Sequence, residues 1–128
     1  MKSRQNFSSG AKWEDIVGYS RAVRVGNVIE TSGTVSIVNG ELYGKGDPYL
    51  QTKRCLEIIE EYILKAGGRL EDIIRTRIYV TDISLWSEIG KAHGEYFKSI
   101  KPVTSMVEVS KLIDPDYLVE IEASAIVQ

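Results

Sequence analysis

Apolar residues along the chain change their spacing several times. Two short runs, Arg21–Val25 and Val28–Thr34, are separated only by Gly26-Asn27. Extended runs joined by two residues, the first a glycine that accepts positive φ, predict a β-hairpin. Asn39-Gly40 marks a second tight turn. The period then lengthens: Cys55, Ile58, Ile59, Tyr62, Ile63 and Ala66 recur at helical spacing. Asp47-Pro48 supplies the start of that helix, an acceptor for orphan N–H groups ahead of a proline, and Gly67-Gly68 supplies its stop. Gly44-Lys45-Gly46-Asp47 reads as the turn leading into it. Ile74–Thr81 returns to strand. Ser84 is placed to cap a second helix from Leu85 to Ile100, with Lys98 and Lys101 near its C-terminal end and Pro102 as the stop. Ser105–Val109 and Leu118–Val127 read as closing strands around the turn Ile113-Asp114-Pro115-Asp116.

This order predicts a two-layer α+β domain, a mixed sheet with both helices on one face. Residues 1–128 form one domain, with polar residues 1–10 as a flexible lead-in. Strand alternation assigns the faces. Ile74, Thr76, Ile78 and Val80 point toward the helices, as do Val119, Ile121, Ala123 and Ala125, and Val107 with Val109. The other face carries Arg75, Arg77, Tyr79, Met106, Glu108, Glu120, Glu122 and Ile126. Its charges have both signs, so it suits either solvent or other copies of the chain with the charges paired. Trp86 is expected in the core.

Composition narrows the function. At 128 residues and 43% hydrophobic content the chain builds a core without staples. It has no apolar run long enough for a membrane span and no secretory segment. A single cysteine, Cys55, forms no intrachain disulfide, so a reduced, cytoplasmic location is the default expectation. The net charge of −2 argues against a broad nucleic-acid footprint. The one histidine, His93, excludes a multi-imidazole metal site within one chain. On its helix it shares a face with Trp86, Ile89, Tyr96 and Phe97 and reads as a half-buried packing or interface residue. Glu57, Glu60 and Glu61 read as a solvated helix face.

Several motifs, taken in order and at their spacing, carry a family resemblance. Gly18-Tyr19 is followed by Val25-Gly26-Asn27-Val28-Ile29 and Ser32-Gly33. Gln51-Thr52 to Ala66-Gly67 makes a long helix. Ile78-Tyr79-Val80-Thr81-Asp82-Ile83 follows, then Pro102, Val107-Glu108-Val109 and Val119-Glu120-Ile121-Glu122-Ala123. From about Gly18 to Val127 the chain resembles the RidA family, also called YjgF or endoribonuclease L-PSP.

The resemblance implies a chorismate-mutase-like α+β fold. It implies a homotrimer with sheets lining a central barrel and a site in each cleft between subunits. It implies hydrolysis of reactive enamines or imines, releasing ammonia, without metal or cofactor, and a small-molecule metabolite as partner rather than nucleic acid or membrane. Carried over residue by residue, Glu120 is the catalytic group that holds the reacting water or imine, Tyr19 is the pocket tyrosine, and Met106 stands where a backbone carbonyl helps place water. Active deaminases of the family carry Pro-Ala-Arg where this chain has Pro102-Val103-Thr104. Thr104 therefore stands at the position of the arginine that forks onto the substrate carboxylate, and a hydroxyl is no bidentate charged clamp. The proline that precedes the family tyrosine is also missing. Arg77 is the candidate replacement anchor; the other reading is that Arg75 and Arg77 pair with Glu120 and Glu122. A non-catalytic trimeric module that binds a small molecule or a protein is the alternative function.

Overall fold

The computed structural model describes residues 3–128. Strand β1, Arg4–Phe7, pairs antiparallel with β2, Ala22–Val25. The expectation of a flexible lead-in is corrected here, and its first two residues lie outside the described ones. Main-chain pairing to an open sheet edge needs no apolar alternation. Arg4, Gln5 and Asn6 stay exposed, and only Phe7 packs against the core. The hairpin from β2 to β3, Val28–Thr31, turns at Gly26 with φ 57°. Strands β4, Ile37–Val38, and β5, Glu41–Leu42, form a small separate hairpin. Asn39 and Gly40 both take positive φ in its turn.

Helix α1, Pro48–Lys65, starts as expected: the Asp47 carboxylate accepts from the Leu50 N–H at 3.0 Å. It ends through Gly67, φ 88°, where the Gly68 N–H reaches back to the Ile63 carbonyl. The predicted stripe is buried, with Ile58 only partly so, and Leu56 joins it. Strand β6, Ile73–Val80, leads to helix α2, Trp86–Phe97, then β7, Val103–Glu108, and β8, Val119–Ile126. Ser84 does not cap α2, which starts after Leu85 with no side-chain cap; Asp82 caps the short turn before it, its carboxylate accepting from the Ser84 N–H at 2.9 Å and the Ser84 hydroxyl at 2.6 Å. A tight turn, Ile83–Leu85, intervenes and rotates Trp86 out to the surface, so it is not a core residue.

The main sheet runs β1-β2-β3-β8-β6-β7, antiparallel throughout except for β6 with β7. One core cluster joins α1, α2, β3, β6 and β8, with Leu56, Ile59, Ile63, Ile78, Ile89 and Ile121 essentially inaccessible. Two assignments of face change. An irregularity in β6 at Ile74 turns that side chain outward and brings Ile73 into the core. In β7, Thr104 and Met106 face the helices and Val107 faces away. Both parities of this strand carry an apolar residue, so alternation was ambiguous. Register decides: Thr104 lies beside Thr76 and Met106 beside Ile78, and the long Met side chain reaches the core from the edge strand. The face without helices exposes Val28, Val103, Val107 and Ile126.

Two substitutions check this packing by urea denaturation. Ile121→Ala removes a fully buried side chain and should cost about 2–5 kcal/mol. Lys101 holds φ 57° after α2, so Lys101→Gly should stabilise by roughly 0.5–1 kcal/mol.

Candidate functional site

The candidate site residues fall into two groups on opposite faces of the sheet. Glu120 leaves β8 on the face without helices, opposite Tyr79 in the register. After β3 the chain crosses toward it, because Thr34 pairs with Ile121 through reciprocal bonds of 2.8 and 2.9 Å. This brings Gly33 against the Glu120 carboxylate so closely that a Cβ at position 33 would collide with it. Arg21 secures the crossing by donating from Nη2 to the Gly33 carbonyl at 2.5 Å. Its Nε is buried without a partner among the described residues, and its guanidinium lies 6.0 Å from the Tyr19 ring. Partial burial pushes the Glu120 carboxyl above its ordinary range; Arg21 pulls it back, and Glu122 adds to the rise.

Tyr19 is set by the turn Glu14–Gly18 before it, where its N–H returns to the Glu14 carbonyl. The Glu14 side chain is buried and accepts from the Ser9 N–H at 3.0 Å and from the Ser9 hydroxyl. Burial alone would raise its pKa, but bonds from Ser9 and Ser8, aided by Arg21, hold it low. Tyr19 and Ser32 line an open cleft of about 500 Å³. Arg21 also lines a neighbouring cavity of about 460 Å³ with Arg54 and Asn39. There Arg54 Nε donates to the Ile37 carbonyl at 2.8 Å.

Arg77 shares the face of Glu120, half-buried and opposite Glu122 in the register. Within one chain that pair does not close. Glu122 accepts from the Tyr79 hydroxyl, a bond that raises the tyrosine's pKa, and neither Arg75 nor Arg77 makes an ion pair among the described residues.

Thr104 and Met106 belong to the helix-facing side. The Thr104 hydroxyl bonds to that of Thr76, and lies 3.3 Å from the Thr76 carbonyl and 3.4 Å from His93 Nε2. Thr76 Oγ1 is 2.8 Å from the same nitrogen. A cavity of about 230 Å³ opens beside them, lined by His93, Phe97, Lys98, Lys101, Pro102 and Thr104. Burial depresses the His93 pKa. One chain thus brings Tyr19, Arg21, Gly33 and Glu120 together and sets Thr104 and Met106 apart from them. Sequence reasoning missed Arg21, whose clamp on Gly33 has no motif, and Thr76, which passed as one more residue of the apolar parity.

Among the described residues no three of His, Cys, Asp and Glu are grouped to hold a metal ion. No helix there is long and apolar enough to cross a membrane. Cys55 is inaccessible, and burial raises its thiol pKa well beyond the ordinary range.

The family profile described as endoribonuclease L-PSP matches residues 10–127. An uncharacterised protein of Streptomyces coelicolor is 38% identical over 121 residues, 94% of this chain and 90% of that one. The 3-aminoacrylate deaminase RutC of Acinetobacter baylyi is 32% identical over 108 residues, covering 84% and 85% of the two chains. Among solved structures, a YjgF/YER057c/UK114 family member from Mycobacterium tuberculosis is 50% identical, with TM-score 0.90 over 98% of this chain and 100% of its own. The YjgF gene product of E. coli is 26% identical, with TM-score 0.82 over 96% and 94%.

The electrostatics of Glu120 can be measured. Arg21→Met should move its carboxyl pKa further up in a carboxyl-detected NMR titration; an unchanged value would contradict the placement of Arg21. A carboxyl whose folded pKa lies above its unfolded value contributes stability at pH below the unfolded pKa, and loses it as pH rises through the folded one. Glu120→Gln, with no charge to bury, should therefore be more stable than wild type near pH 7, with the gap closing toward about pH 4.

Proposed function

This chain belongs to the RidA/YjgF family, the endoribonuclease L-PSP family, and on that premise we propose that it hydrolyses a small reactive imine or enamine in the cytoplasm, at a cleft completed by a second copy of the chain. One observation carries the reading: a partly buried glutamate, Glu120, held against Gly33 with its pKa raised. A carboxyl tuned toward neutrality exchanges protons efficiently with a bound water. Hydrolysis adds water across C=N and then breaks the C–N bond, leaving a carbonyl compound and ammonia. Glu120 orients the water, and Tyr19 forms one wall. Thr104 and the Met106 backbone come from the neighbouring copy, because one chain holds them on the opposite face. Arg77 lies on the Glu120 face with no ion pair among the described residues and serves as the second anion contact.

The uncovered sheet face, with its exposed valines and unpaired arginines, supports a homotrimer. The net charge of −2 disfavours RNA as substrate. The absence of an arginine at position 104 favours a second reading, a trimer that binds a small molecule without turning it over.

Ammonia release from freshly generated 2-iminobutanoate and from 3-aminoacrylate tests the reaction, beside a thermal-shift ligand screen. Turnover of either, reduced about 10²-fold or more by Glu120→Gln, is the expected result; binding without turnover of any imine supports the second reading. Both substrates carry a carboxylate, so Thr104→Arg should lower KM for each. Light scattering after gel filtration should give about three times 14.3 kDa, and a stable monomer would remove the shared cleft. Arg77→Met should weaken anionic ligands at unchanged melting temperature; a loss of trimer stability instead would make Arg77 a structural pair partner.

A further inference from the structure

We propose that Thr104, Thr76 and His93 form a proton relay whose outer end, the Thr104 hydroxyl, meets the N–H-bearing group of the substrate, with Thr76 and His93 as positioning residues. The proposal rests on the reading that Thr104 lines the substrate cleft. Its basis is an anomaly in the core. Thr76 is fully buried in the helix-facing row of β6, which otherwise holds Ile78 and Val80. A buried hydroxyl needs partners, and Thr76 has two, His93 Nε2 at 2.8 Å and the Thr104 hydroxyl.

Each hydroxyl carries one hydrogen, so the chain has a direction. With no proton on Nε2, Thr76 donates to the ring and Thr104 donates inward to Thr76 Oγ1 or its carbonyl. Thr104 then turns only lone pairs outward. With a proton on Nε2, Thr76 accepts from the ring and donates to Thr104, which is free to donate outward. The groups facing the ring are Thr76 from β6, Thr104 from β7, and Phe97 on its own helix at 4.6 Å between ring centres. Lys98 and Lys101 are the charged residues lining the adjoining cavity. Burial holds the ring below its ordinary range, so it is neutral near pH 7.

The relay determines what Thr104 recognises. With the neutral ring's proton on Nδ1, Thr104 presents lone pairs, and a carboxylate, which offers only lone pairs, would meet them unpaired. An imine, enamine or amine offers N–H. It also supplies a proton path. As water adds to C=N, one proton leaves the oxygen and one must reach the nitrogen; the same holds as the C–N bond of the carbinolamine breaks. In each half-reaction Glu120 orients the oxygen, and the Thr104 hydroxyl, in reach of both atoms, takes the oxygen's proton, passes one inward to Nε2 and returns one to the nitrogen. The sum is C=NH + H2O → C=O + NH3, with the relay restored.

Because His93 is the only histidine, imidazole-detected 15N NMR reads it without overlap. Wild type should titrate below the ordinary histidine range. Thr104→Val, at an exposed edge position, should shift both the Nε2 resonance and the midpoint, and Thr104→Ser should restore them. An Nε2 resonance and midpoint indifferent to Thr104→Val would overturn the relay. In turnover, His93→Gln should lower kcat about 10²-fold, leave KM within about twofold and flatten the acid limb of the pH–rate profile, with the melting temperature unchanged. An unmoved pH profile would overturn the relay while leaving the hydrolase reading intact. If wild type turns over no imine or enamine, the hydrolase reading fails, and the NMR result alone decides whether the relay exists.

Discussion

The register of β6 is the constraint on which the rest of the structure depends. This strand is held on one side by antiparallel β8 and on the other by parallel β7. A slip of one residue would exchange its two faces, moving Thr76, Ile78 and Val80 out of the core and Arg75, Arg77 and Tyr79 into it. Burial of unpaired arginines forbids that alternative. Once the register is set, the neighbouring strands have no freedom. Glu120 must lie beside Tyr79, and Thr104 beside Thr76. These two rows face opposite ways. A cleft containing both Glu120 and Thr104 therefore needs two copies of the chain, which ties the proposed chemistry to assembly through backbone geometry alone.

The same register separates two glutamates that look equivalent in sequence. Glu122 lies opposite Arg77 and accepts from the Tyr79 hydroxyl, so one of its oxygens is engaged. Glu120 meets Gly33, a residue without a side chain, where the crossing from β3 brings backbone against carboxylate. Arg21 is committed to the Gly33 carbonyl and moderates the rise in the Glu120 pKa without cancelling it. A full ion pair would hold the carboxylate ionised and make it a poor proton donor. The geometry leaves it between the two limits, as exchange with water requires.

Much of this was legible in the sequence, and the exceptions share a cause. The hairpin at Gly26-Asn27, helix α1 and strand β8 carry strong local signals: turn residues, a cap and clean alternation. Membership of the family followed from motif order. What alternation did not resolve was β7, where Met106 and Val107 are both apolar and only the neighbouring strand selects a face. It also missed β1, whose side chains are polar and whose pairing is made by backbone. The bulge at Ile74 and the cap at Asp82 each displace a periodic pattern by one or two residues. Glu120 and Tyr19 were singled out through motifs, whereas Arg21 and Thr76 make their contacts to residues distant in sequence, which no local pattern encodes.

Threonine at position 104, where the family resemblance implies an arginine, would change the proposed site by more than one lost charge. An arginine there would be a permanent donor; a threonine takes its direction from whatever lies behind it. Here that is a buried hydroxyl and a half-buried imidazole, the one titratable side chain in the fold with an ordinary pKa near neutrality. In the proposed relay an anchor of fixed sign would give way to a group whose hydrogen-bonding sense depends on a proton inside the protein. Under the proposed function anion recognition falls to the other face, where Arg21 acts on Glu120 and Arg77 lies opposite Glu122. The positive charge of Arg21 offsets part of the Glu120 carboxylate that a second anion would otherwise meet. In the proposed reaction the division is between a face that handles charge and water and an edge that handles a nitrogen and its proton, and joining the two would require one copy's β7 to meet another copy's β8.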